Sequence, residues 1–302
     1  MKVKFISNAC CIVETNAGTQ ILTDPWIKDG VFEGSWCHFH KLKTSVNDLQ
    51  NVDALYVSHI HPDHYDERFF NFKKDIPIIV LDHGLNFLHR KLNERGYNNL
   101  IKIKDRETIK FKDLELTLFA PFVKHNFYGD NSKIGNLIDS AIVFQSDYES
   151  IFNANDNNPD NDNCRELKSL FGNFDLAMMN YNNAGPYPSC FTNLTEEEKH
   201  IEHKSNLLRN IDYLHSNLKI LMPKYFLPFA GAYVLGGKNS YKNTYLGTTN
   251  WDKCIEILKN KEKIIHTQYI ALREQDIFDL DTGMSNKAYI PINENEVENY
   301  IK

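Results

Sequence analysis

Apolar residues recur along this chain with two different periods. In the first sixty or so positions they alternate or cluster in short runs, the mark of strands. "KVKFIS" alternates, "CCIVET" is apolar, "NAG" turns, and "TQILTD" leads into Pro25. Further strands are predicted at "ALYV", "IPIIVL", "LIKIK", "ETIKF", "LELTLFAP", "SAIVFQS", "ESIFNAN" and "KYFLPF". Helical spacing predicts a short helix at "DERFFNFKK" and an amphipathic one at "HGLNFLHRKLNERG", ended by Gly96. A long helix, "TEEEKHIEHKSNLLRNIDYLHSNL", starts with Thr195 as N-cap and glutamates in its first turn. "NWDKCIEILKNK" predicts one more helix, "AGAYVLGG" a glycine-rich loop, and the Asn/Asp-rich residues 153–163 an ordered loop. Two strand-rich stretches with helices interspersed predict an α+β protein, a single domain over residues 1–302 with sheets inside and helices outside.

Composition narrows the classes. The 302 residues are 42% hydrophobic and 25% charged, as in ordinary globular proteins. A net charge of −6 without a Lys/Arg run argues against nucleic acid as a partner. No apolar run approaches the ~20 residues that cross a bilayer, which argues against a membrane partner. Ser7, Asn8 and Glu14 interrupt any signal-peptide core, so a cytoplasmic location is expected. The six cysteines show no CxxC spacing, which argues against a disulfide framework or a zinc ribbon. Cys10 and Cys11 read as strand neighbours pointing to opposite faces.

The chemistry concentrates in "ALYVSHIHPDHYDERFF", where His59, His61, Asp63 and His64 directly follow a buried strand. In extended chain His59 and His61 point to the same side and can share one ion, while Asp63 and His64 turn past Pro62 toward a second. Imidazole and carboxylate together suit zinc, iron or manganese. A pair of divalent ions needs ligands from other strand ends. His125 in "LFAPFVKHNFYGD" and Asp156 in "SIFNANDNN" are in suitable places. Asp24 in "ILTDPW" can orient a ligating imidazole from behind.

With the HxHxDH pattern at His59, His61, Asp63 and His64, and with Asp24, His125 and Asp156 following, the sequence resembles the metallo-β-lactamase superfamily. The resemblance implies a four-layer αββα sandwich with the metals at one edge between the sheets. It implies one site from His59, His61 and His125, another from Asp63 and His64, and Asp156 as the bridge. The chain departs from the pattern at the last histidine, where Ala230 and Gly231 stand in "KYFLPFAGAY"; His266 in "KIIHTQYIA" is a candidate substitute but reads better as a solvent-side histidine on a strand. "TDPWIKDGVFEGSW", "YNNAGPYPSCF", "EEEKHIEHK" and "LPFAGAYVLGGKNS" are similar to the branch containing CMP-N-acetylneuraminate hydroxylase. The paired Cys and His ligands of a Rieske cluster do not precede the fold here, so an oxidative reaction would take its electrons from a separate donor or from the substrate.

Three functions compete. The leading expectation is a dinuclear hydrolase acting on an ester, amide or phosphodiester, with Asp63 positioning or deprotonating the nucleophile. The alternative is a di-iron oxygenase acting on a sugar, sugar nucleotide or related small molecule. The third is a non-catalytic domain, against which the intact ligand cluster argues. Trp36, His38 and His40 in the loop after Asp24 are candidate substrate contacts, whereas Trp26 reads equally well as packing. Lys238 in "LGGKNSYKN" is a candidate contact to an anionic or nucleotide-linked substrate.

Overall fold

The computed structural model describes residues 1–84, 87–122, 138–146 and 148–301. The chain begins with β1 (Lys2–Ser7), β2 (Cys10–Glu14) and β3 (Gln20–Thr23), then α1 (Val31–Gly34), β4 (Trp36–Cys37) and β5 (Ala54–Tyr56). Next come β6 (Ile78–Asp82), α2 (Phe87–Glu94), β7 (Leu100–Lys104), β8 (Thr108–Phe111) and β9 (Leu114–Phe119). β10 (Ala141–Ser146) and β11 (Glu149–Asn155) precede α3 (Asn161–Phe171), β12 (Leu176–Asn180) and α4 (Glu196–Leu221). β13 (Tyr225–Phe229), β14 (Val234–Leu235), α5 (Trp251–Lys259) and β15 (Gln268–Tyr269) follow. β16 (Ile277–Asp279), β17 (Met284–Ser285) and α6 (Glu294–Ile301) come last.

One sheet has the order β17-β16-β1-β2-β3-β5-β6-β7, and the other β15-β13-β12-β11-β10-β9-β8. Within each, one half is antiparallel. The other half is parallel: β3, β5, β6 and β7 in the first sheet, β11, β12, β13 and β15 in the second. Parallel neighbours release their loops at the same edge, and this brings chemistry from distant parts of the sequence together.

The two sheets face each other across an apolar layer that includes Val13, Ile79 and Ile103 from one and Leu116, Ile142 and Met178 from the other. The outer face of the second sheet is covered by α3, α4 and α5, through Leu167, Leu214, Leu218 and Cys254. Over the outer face of the first sheet lie α2 and an aromatic loop containing Tyr65, Phe70 and Phe72. The result is the expected α+β sandwich of two inner sheets with helices outside. Cys11 joins the inner layer and Cys10 the outer one, so the pair points both ways. The long helix starts where expected, with Thr195 and Glu198 capping each other reciprocally.

Three expectations need correction. "DERFFNFKK" is not a helix. The Tyr97 hydroxyl receives the Phe72 N–H and donates to the Phe70 carbonyl, taking the backbone groups that helical bonding would use. The Asn/Asp-rich stretch is not one loop either: β11 runs to Asn155, and α3 starts at Asn161 because the Asp160 side chain accepts the Asn163 N–H as an N-cap. His266 lies in an exposed turn with left-handed backbone, φ 71°, and not on a strand.

Candidate metal centre

Asp24, at the end of β3, is fully buried and in a left-handed conformation, φ 34°. That strain is retained where the surroundings hold the residue firmly, as they do here. The Ser58 backbone N–H reaches one Asp24 oxygen at 2.7 Å; the Ser58 hydroxyl donates to the other at 2.8 Å, and His64 Nδ1 to that same oxygen at 3.0 Å. With its proton committed to Asp24, Ser58 Oγ is left to accept from His59 Nδ1 at 2.9 Å. These bonds fix the tautomers. With Nδ1 engaged in this way, Nε2 is the atom that His59 and His64 each turn toward the cluster, where a metal would take its lone pair in place of a proton.

The other strand ends supply carboxylates. His64 Nε2 lies 3.2 Å from Asp156 Oδ2 and 3.6 Å from Asp63 Oδ2, but out of hydrogen-bond alignment. His59 Nε2 lies 2.8 Å from His61 Nδ1, 3.5 Å from Asp139 Oδ1 and 3.9 Å from Asp156 Oδ2. Two ligand sets result, His59–His61–Asp139 and His59–His64–Asp156, each with its ligand atoms within 4.8 Å of one another. Asp139 precedes β10. Its neighbour Ser140 is tied to the Ser58 carbonyl at 2.8 Å and to the Tyr56 hydroxyl at 2.8 Å.

The charges are those of a cation site. Burial alone would strip a proton from His64, but Asp156, Asp63 and Asp24 hold its imidazole well above the usual range. His59 is held well below it, by burial and by the neighbouring His64 and His61. Burial pushes the Asp63 carboxyl up to about 6, against the pull of His64. A fully buried Nε2 without an aligned partner, ringed by carboxylates, is satisfied by a divalent cation. The residues present fit a metal.

Asn180, at the end of β12, was not singled out by sequence. Its amide donates to Asp156 Oδ1 at 2.8 Å and to the Ala230 carbonyl at 2.7 Å, leaving Asp156 Oδ2 for the imidazoles. At the place of the missing last histidine, Ala230 and Gly231 line the cleft, and Gly231 leaves little room for a side chain. A Cβ on Gly231 would stand 3.0 Å from the Tyr181 ring and 3.2 Å from Asn182 Cβ.

A cleft of about 790 Å³ opens onto this cluster, with His61, Asp63, Asp139 and Asp156 in its wall. Trp36 also lines it, stacked on Tyr233 with ring centroids 3.6 Å apart and planes 3° from parallel. Other sequence-derived candidates lie elsewhere. His38 is 2% exposed, held between Asp29 Oδ1 at 2.9 Å and the Trp26 carbonyl at 3.2 Å, and so packs the loop. Trp26 is fully buried against it. His40 sits between Arg273 at 3.0 Å and Glu296 at 3.4 Å, outside the cleft wall. Lys238 is exposed and not in the wall, which carries Lys242 instead. His125 lies outside the described residues.

Residues 2–123 match the family model described as a β-lactamase superfamily domain. A putative Rieske 2Fe-2S iron–sulfur protein of Mycolicibacterium smegmatis is 30% identical over 200 residues, 63% of this chain and 36% of that protein. Cytidine monophosphate-N-acetylneuraminic acid hydroxylase of Pongo pygmaeus is 21% identical over 260 residues, 83% of this chain and 41% of that protein. This chain therefore spans only about two fifths or less of these curated relatives. In fold it is similar to isothiocyanate hydrolase from Delia radicum gut bacteria, with TM-score 0.63 and 18% identity, covering 92% of this chain and 99% of that one. It is also similar to CmlA, a diiron β-hydroxylase from Streptomyces venezuelae, with TM-score 0.55 and 14% identity, over 90% of this chain and 53% of that one. The sequence match to the β-lactamase superfamily domain spans the strands that deliver Asp24 and the HxHxDH loop, the structural matches extend to the strands that deliver the carboxylates, and the chain has the metallo-β-lactamase fold.

Proposed function

We propose that this protein is a dinuclear iron oxygenase that hydroxylates a small polar molecule, using electrons from a separate carrier. The observation that carries the reading is Asp139. With His59 and His61 it makes a two-histidine, one-carboxylate set, and His64 and Asp156 stand beside it, with Asp63 3.6 Å from His64 Nε2. Iron held by His59, His61 and Asp139 would supply the dioxygen activation that side chains alone cannot. Inserting one oxygen atom into a C–H bond consumes dioxygen, two electrons and two protons, and yields the alcohol and water. Asp24 and Ser58 keep the imidazoles in their ligating tautomers, and Asn180 turns one Asp156 oxygen toward them. The stacked Trp36 and Tyr233 rings form an apolar wall that excludes water and presents a flat face to the substrate. Similarity to a hydroxylase of a sugar nucleotide and to a putative Rieske protein supports oxidative chemistry and a sugar-like substrate.

Hydrolysis of an ester, amide or phosphodiester is the second reading, supported by Asp63. Asp63 lines the cleft beside His64, where its carboxylate can position or deprotonate a nucleophile. An oxygen electrode separates the two. Iron-loaded protein with a chemical two-electron reductant and acidic sugars or nucleotides should show substrate-dependent oxygen uptake that is lost in Asp139→Ala. Zinc-loaded protein that cleaves esters or phosphodiesters equally well without oxygen would overturn the oxygenase reading.

A further inference from the structure

Lys242 is the only lysine or arginine in the described wall of the cleft, which otherwise carries carboxylates, asparagines and aromatic rings. Among the described residues, no carboxylate stands within 4.0 Å of its ammonium group. Its neighbour is a thiol, Cys190 Sγ, at 3.3 Å, with Ser189 Oγ 3.7 Å from the same sulfur. Ser189, Cys190 and Asn239 all line the cleft beside it. The Tyr233 phenol links the two regions. Burial holds its proton on, and both the Asp63 carboxylate and Cys190 reinforce this, so Tyr233 lies within electrostatic reach of each.

An ammonium group in a cleft wall, with no carboxylate within 4.0 Å among the described residues, is open to pairing with an anion that enters. A cleft with a cation-demanding cluster in one region and a lone ammonium in another suits an elongated molecule with one anionic end. We propose that Lys242 binds the oxyanion terminus of the substrate, a carboxylate or phosphate, and so orients its reacting carbon toward the His/Asp cluster. This deepens the oxygenase reading and rests on it for the identity of the reaction, though not for the anion site itself. The role expected of Lys238 thus passes to a lysine four positions on, in the same 3₁₀ helix, Gly237–Tyr245.

Cys190 reports on the site without turnover. Burial alone would raise its thiol, but contacts from Ser189 and Lys242, with the charges of Lys242 and Lys199, hold it below the ordinary value of 9.0. The test is the rate of Cys190 alkylation by iodoacetamide, read by mass spectrometry on metal-loaded protein titrated with inorganic phosphate or with acetate. An anion on Lys242 should slow alkylation saturably, by about fivefold at high occupancy. Protection should persist in Lys242→Arg and vanish in Lys242→Ala. The phosphate and acetate arms show which oxyanion is preferred. Equal protection in Lys242→Ala would place the anion on the metals and overturn the proposal, as would protection lost in Lys238→Ala, or none from either anion. None of these outcomes depends on iron chemistry or oxygen uptake, so the anion site and the reaction can fail separately.

Discussion

Asn180 holds Asp156 by one carboxylate oxygen, and that bond decides which oxygen faces His64 and His59. Removing the amide frees the carboxylate to rotate and leaves the second ligand set less organised. Asn180→Ala should weaken the binding of one metal by about 10–100-fold while the fold persists. Competition with a chromophoric chelator would measure this, and a variant with wild-type affinity for both ions would exclude the positioning role. Asn180 could not be read from the sequence, because an asparagine ending a strand looks like any turn former. Asp139 escaped for the same reason, being a lone carboxylate before a strand. The HxHxDH cluster was legible because four ligating side chains seldom fall within six positions by chance. Asp24 was legible because it ends a strand beside that cluster.

At the scale of elements, the loop from Asp24 to Thr44 shows how packing decides between candidate contacts. Its Trp26, Asp29 and His38 interlock, and β4 pairs with β14 to bring Trp36 onto Tyr233. Gly236 follows β14 directly, where a Cβ would stand 2.8 Å from Cys37 Sγ and push that thiol aside. Histidines 38 and 40 alternate in sequence as a metal-binding pair does. Only the tertiary structure shows that one packs inward and the other binds Arg273 and Glu296. The Asp29–His38 contact gives a pH prediction. Burial opposes ionisation of Asp29, but the His38 ring and backbone N–H outweigh it and hold the carboxyl below 3.8. A depressed carboxyl stabilises the fold above its unfolded-state value and loses that contribution as the pH falls through the folded one. Asp29→Asn should therefore lower the Tm by roughly 1–3 °C at neutral pH. The gap between variant and parent should stay constant down to mildly acidic pH and close below 3.8. A gap that widens in acid would contradict the assignment. Helix boundaries with reciprocal caps, as at Thr195, were legible in advance. The aromatic loop at Phe70 was not, because the Tyr97 hydroxyl that replaces its helical bonding comes from 25 residues away.

For the whole molecule, two half-parallel sheets bring the ends of β3, β5, β11 and β12 to one edge, and the start of β10 meets them there. This gathering turns scattered histidines and aspartates into a cluster that attracts cations. The strand pattern foretold the sandwich. Ligand identity stayed partly hidden, because which carboxylates meet the imidazoles depends on how the second sheet packs against the first. Among the described residues, no helix is long and apolar enough to cross a membrane. The central claim is that this edge holds a carboxylate-rich pair of iron ions. Element-specific anomalous diffraction from crystals of natively purified protein tests it most directly. The account predicts iron at two positions, one beside His59, His61 and Asp139 and one beside Asp63, His64 and Asp156. Zinc at both positions, or a single metal site that omits Asp139, would contradict it.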